Sequence, residues 1–239
     1  MSNQGFAPEA EPLQEIPLPS SLHPSWIKPA QVENVTGMGW ARQFFEQASG
    51  AWEKLNKLRT TARPEMTRKA HQMEVNKAFD KATKQVTGAY DQARERLKQS
   101  REAYRVELEQ AAGLNQPGPH DAEIRSVLRS MSERDRHQAI LDAVERGDSD
   151  EIRAAVTAPA LTVGMDPDKL ANVRAAWERK AAPGIVQSIE QIDKAERQLT
   201  AGIDAWVDDG AKLAYADELK ATHDAQAQAE EIAGNFETA

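Results

Sequence analysis

The side chains best suited to hold a metal or move a proton at neutral pH are five histidines, His23, His71, His120, His137 and His223. They stand alone in sequence. A helical zinc site sets two histidines at positions i and i+4, a spacing that none of these pairs has, so no metal site is expected. The chain holds no cysteine, which removes disulfides, thiolate nucleophiles and cysteine zinc sites together. Asp148, Ser149 and Asp150 look superficially like a calcium loop but lack its following glycine and terminal glutamate, and helix capping explains them better. In Arg146-Gly147-Asp148, an adhesion-type tripeptide, the glycine sits where one helix must stop and the aspartate where the next must start. No glycine-rich loop follows a strand pattern, and the plentiful carboxylates come with no sign of the concave, partly dry pocket that acid/base chemistry needs. No catalytic residue, cofactor or small-molecule substrate is therefore expected, and the chain reads as a non-enzyme.

What remains is chemistry of surfaces. Lys54, Lys57, Arg59, Arg63, Arg68 and Lys69 form an electrostatic patch beside Trp52, the best candidate for contact with nucleic acid. The interleaved Glu53 and Glu65 and a pI of 5.3 pull the other way. Charge is uneven along the chain. Residues 37–113 hold 15 Lys+Arg against 10 Asp+Glu, and residues 114–239 hold 14 against 24. A basic middle and an acidic end suggest docking by opposite charge, between copies or with a partner.

The elements that must carry these surfaces are helical. At 40% hydrophobic and 28% charged residues the chain is compatible with folding, and with 5% aromatics its apolar content is largely alanine, which suits bundles and extended helices. No stretch approaches the roughly 20 apolar residues of a membrane span. The N-terminus has no basic segment before an apolar run, unlike a signal peptide.

Residues 1–36 hold Pro8, Pro12, Pro17, Pro19, Pro24 and Pro29, which favour an extended arm without helix. Leu13, Ile16, Leu18, Leu22, Trp26 and Ile27 punctuate it, and the expectation is a strap ordered on a partner subunit with Trp26 as its main anchor. From Trp40 to Ala62, and again from Phe79 to Ala111, apolar residues recur at steps of three and four. The second run, bounded by Pro64 and Gly113, predicts a helix over about 65–112, on the order of 70 Å long, which must pack along something of similar length. A helical hairpin is expected, the alanine-rich stripe being too weak for a self-sufficient zipper. Beyond Pro117-Gly118-Pro119 come short helices with clear punctuation: a cap at Ser132, a stop at Gly147, a cap at Asp148, a stop at Pro159 and a start at Asp166-Pro167. Pro183-Gly184 and Gly210 are expected to separate the last two helices, with fraying from His223.

The segment Glu123–Met165, with its DAVERGD turn and APALTVGM exit, resembles a stretch of uncharacterised helical proteins encoded by tailed bacteriophages and prophages of proteobacteria. The resemblance implies a phage origin and a place among virion or assembly proteins. The sequence thus leads to an all-α chain: an extended docking arm (1–36), long amphipathic helices forming a hairpin or coiled-coil-like helix (37–113), and an acidic bundle of shorter helices (114–239). The expected function is that of a phage structural protein contacting other subunits in multiple copies, in the virion or in the host cytoplasm during assembly. An assembly scaffold that leaves the particle, or a nucleic-acid-associated packaging or host-takeover factor, are the alternatives.

Overall fold

A computed structural model describes the backbone of residues 14–237 and the side chains of residues 14–215. The all-α expectation holds: among the described residues there are helices and no strand. The chain forms two compact units, one from residues up to Leu97 together with those from Lys194, the other from Lys98 to Asp193. This differs from the linear division at 36 and 113. A break in composition marks a turn, whereas a unit here is assembled from helices far apart in sequence.

In the first unit, α1 (Pro29–Asn34) leads into α2 (Met38–Thr60), and α2 folds back on the first part of α3 (Arg68–Ala111). The hairpin is closed at its turn by the His71 ring, whose Nε2 lies 2.9 Å from the Leu58 carbonyl, and farther along by an edge contact of Phe44 with Tyr90 at 6.0 Å. α3 starts a few residues later than expected. Pro64 and Glu65 form a turn closed by Met66 N–H on the Arg63 carbonyl, and the Thr67 hydroxyl then accepts from Ala70 N–H as a cap. The third member of the bundle is α9 (Pro183–Glu237), from Lys194 onward. Its Trp206 is fully buried, stacked on Phe79 at 5.7 Å and edge-on to Trp52 at 6.1 Å, with its indole N–H donating to Thr83 Oγ1.

Gly210 does not end a helix. It lies within α9, and a Cβ there would sit 2.6 Å from the Phe79 ring; one at Gly202 would sit 3.0 Å from Phe44. Both glycines are packing residues that let the aromatics of α2 and α3 approach the α9 backbone. The helix is continuous to Glu237 rather than stopping at Gly210.

The arm also departs from expectation. Two 3₁₀ turns (Ser20–Leu22 and Pro24–Trp26) and α1 stand where prolines were expected to exclude helix, because Pro24 and Pro29 occupy first-turn positions, where no N–H is needed. Leu22 and Ile27 are buried within the chain, and the strap is pinned to α2: Trp52 Nε1 and Asn56 Nδ2 donate to the Ile16 carbonyl, and Asn56 Oδ1 accepts from Ile16 N–H. These residues of the strap thus pack on their own chain. Trp26 is 43% exposed with its indole N–H on the Ser20 carbonyl, so Leu22 and Ile27, not Trp26, are the anchors. Ile16 and Leu18 are half-buried, and Leu13 lies outside the described residues.

The second unit surrounds a core that includes Leu128, Ile140, Ile152, Val163, Val173 and Trp177. It is built from the end of α3, α4 (Asp121–Ser130), α5 (Glu133–Arg146), α6 (Ser149–Val156), α7 (Ala160–Val163), α8 (Pro167–Ala181) and the start of α9. The expected punctuation holds: the Ser132, Asp148 and Asp166 side chains accept from backbone N–H groups of their own first turns, and Gly147 ends α5 at φ 80°. The short turn of α7 was not anticipated after Pro159.

The glycine assignment is testable by equilibrium unfolding. Gly210→Ala should destabilise the first unit by about 1–3 kcal/mol, because the buried Phe79 ring cannot yield. Gly88→Ala, at a helical site with nothing within 4 Å of the added Cβ, should stabilise by up to about 1 kcal/mol. Equal effects at the two positions would contradict it.

Candidate interaction groove and its surroundings

The six cations expected to form one patch are separated by the fold. Arg59 is 5% exposed and faces inward, its Nε donating to the Gln14 carbonyl at 2.9 Å and its Nη1 to the Leu213 carbonyl at 2.5 Å. It cannot serve as surface charge, because its guanidinium is spent on carbonyls of the strap and of α9. Arg63 pairs with Glu65 at 3.3 Å, and hydrogen bonding within that turn, backbone first and then Arg63, holds the Glu65 carboxyl below its ordinary value. Arg68 and Lys69 lie exposed at the start of α3, Lys57 faces the strap side of α2, and Lys54 faces a different surface.

That surface is a trough of about 890 Å³ between α2 and α3. Its floor is small: Gly50 and Ala51 from α2, Ala78, Ala82 and Ala89 from α3, with Leu55, Leu58 and Val86 between them. Its rims carry Gln43, Gln47, Gln85 and Gln92 with Lys54 and Lys81. The one carboxylate on the rim, Glu46, is engaged by Arg42 at 2.7 Å. Lys77 and Lys84 flank Lys81 one turn away on the same face of α3 and are exposed. On α2 the trough runs from Gln43 to Leu58, about 22 Å at 1.5 Å per residue, or four helical turns. Helical periodicity found these helices but not the trough. Lys77, Lys81 and Lys84 stand at steps of four and three, a shared helix face that the net charge of the middle segment does not reveal.

Three of the histidines and the Arg146–Asp148 tripeptide have structural occupations. His71 closes the hairpin turn, His23 contacts the Ser25 hydroxyl at 2.7 Å, and His120 lies 3.3 Å from Glu123. Arg146 bonds Glu151 at 2.9 Å and Asp148 accepts from Glu151 N–H, so the tripeptide is a helix junction. No group of three metal-ligating side chains converges among the described residues, and no described helix is long and apolar enough to cross a membrane.

In the second unit, Asp121 is buried and joins the Pro117–Pro119 turn to α6: Oδ2 accepts from Gly118 N–H at 2.9 Å and Oδ1 from Arg153 at 3.1 Å. Burial pushes its carboxyl up. The Gly118 N–H and the Arg153 guanidinium outweigh that and hold it below the ordinary carboxylate range. Arg136, also buried, bonds the Leu128 and Met131 carbonyls at the end of α4 and the Gly164 carbonyl after α7. These are fasteners, with no open space at the charged atoms.

Comparison of the chain with protein-family models, with curated proteins and with solved structures finds no match.

Two predictions separate fastener from surface. Arg59→Met should cost about 1–3 kcal/mol in unfolding free energy, because the Gln14 and Leu213 carbonyls lose a partner, while Lys54→Ala should stay within about 0.5 kcal/mol. Asp121 is depressed in the folded state, so its contribution is present at neutral pH and is lost as pH falls through and below about 4. Denaturation of the second unit followed against pH should show that loss, and Asp121→Asn, costing roughly 3 kcal/mol at pH 7, should flatten it.

Proposed function

We propose that the chain is a non-enzymatic structural protein of a bacteriophage particle, docking on neighbouring subunits through the α2–α3 trough. The observation that carries the reading is Gly50. A glycine inside a helix costs about 1 kcal/mol relative to alanine, and Gly202 and Gly210 meet that cost by admitting aromatic rings. Gly50, like Gly88, has nothing within 4 Å of where a Cβ would stand, but unlike Gly88 it lines an open trough of helical dimensions. A floor of glycine and alanine lets another helix backbone come close, amide and lysine rims give it polar partners, and rigid helices hold both in place. The phage setting rests on the resemblance of Glu123–Met165. The burial of Arg59 and the Arg63–Glu65 pair weaken the nucleic-acid alternative, since they take two cations out of the patch.

The chain holds no cysteine, so Gln47→Cys introduces a single thiol reporter on the trough rim. The protein should be present in purified particles at fixed stoichiometry, with the thiol reactive in dilute free protein and protected in the particle. Absence from mature particles would identify a scaffold instead. Equal reactivity in both states would remove the trough from the interface.

A further inference from the structure

Resting on the reading of the trough as a docking site, we infer that its occupant is the C-terminal end of α9 from a second copy of this chain. Three observations converge.

The first is the length of helix left over. Gln72 near the start of α3 bonds the Ala214 carbonyl of α9, and α3 begins at Arg68. The backbone of α9 is helical on past Ala214 to Glu237. A helix this polar draws its stability from packing rather than from propensity.

The second is the sequence of that leftover helix. Ala221, Ala225, Ala229, Ile232 and Phe236 recur at steps of four, four, three and four, a small-residue stripe that ends in two larger side chains. It spans fifteen residues, the same interval as Gln43 to Leu58 along the trough. An alanine stripe laid on a floor of Gly50, Ala51, Ala78 and Ala82 permits a close helix approach, with the amide rims reaching around it.

The third is charge. Residues 216–239 hold six Asp+Glu against one Lys. The trough presents Lys54 and Lys81, with Lys77 and Lys84 beside them, and none of these four has an ion pair among the described residues. Its single rim carboxylate is already matched by Arg42. The opposite charges of the middle and end of the chain are thus gathered on two helical surfaces of equal length, the arrangement that steers copies together and sets their register.

The test is sedimentation of the full-length protein at micromolar concentration. The intact chain should sediment above monomer mass and shift toward monomer as salt rises. A chain ending at Tyr215 should be monomeric with its bundle intact by near-UV circular dichroism. Gly50→Leu should also be monomeric while melting at the same or a higher temperature, since the new side chain enters open space and favours helix; loss of association cannot then be blamed on unfolding. Lys54→Glu with Lys81→Glu should weaken association, and Glu230→Lys with Glu231→Lys on the other copy should restore it. Intact protein that is monomeric throughout would overturn this inference; the particle-protected thiol of Gln47→Cys would still stand, assigning the trough to a different partner. Association that survives Gly50→Leu or the truncation would overturn it by placing self-contact on another surface.

Discussion

The first unit depends on one contact, the wedge of Trp206 between α2 and α3. Its ring is fully buried, stacked on Phe79, edge-on to Trp52 and tied by its N–H to Thr83, so one side chain fixes the spacing and level of three helices. Such aromatic pairs add about 0.5–1.5 kcal/mol beyond the area they bury, and their geometry tolerates little displacement. The glycines of α9 follow from this: rings of that size can stand against a helix only where the helix has no side chain. Among the described residues, the trough on the α2–α3 seam is lined by no aromatic ring but by glycine, alanine, leucine and valine. A bundle with its bulk on one face leaves a trough on another.

A second constraint is how the chain treats cations. Arg136 and Lys180 give their hydrogens to carbonyls at helix ends, Arg136 to Leu128 at the end of α4 and Lys180 to Val144 and Glu145 at the end of α5. Helix C-termini leave carbonyls without partners, and a guanidinium or ammonium there meets both the hydrogen-bonding need and the negative end of the dipole. Short helices such as α4 and α5 have many ends for their length, so basic residues that look like surface charge in sequence are drawn into fastening. Lys54, Lys77, Lys81 and Lys84 sit mid-helix, away from such ends, and remain as surface charge beside the trough.

Local signals in the sequence were reliable where the physics is local. Ser132, Gly147, Asp148 and Asp166-Pro167 cap or stop helices as their side chains dictate, and periodicity found α2 and α3 to within a few residues. Signals failed where a tertiary partner decides. Gly210 reads as a stop until Phe79 is seen against it, Arg59 reads as surface until Gln14 and Leu213 are seen around it, and the prolines of the arm read as helix breakers although two of them start turns. Leu22 and Ile27 are apolar side chains that seek burial; that α2 of the same chain provides it depends on contacts with no trace in the arm itself. The trough was least legible of all, since it is defined by what two helices lack along a shared seam.

The proposed seating of a helix of opposite charge along α2 and α3 fixes which residues of two copies meet. Absence of cysteine makes it directly measurable by pulsed electron–electron resonance on a mixture of two singly spin-labelled proteins, one carrying Gln85→Cys and the other Ala233→Cys. A short, narrow intermolecular distance is expected, and it should vanish when Gly50→Leu is added to the first protein. A mixture that associates yet shows no dipolar coupling between the labels, or coupling unchanged by Gly50→Leu, would contradict it.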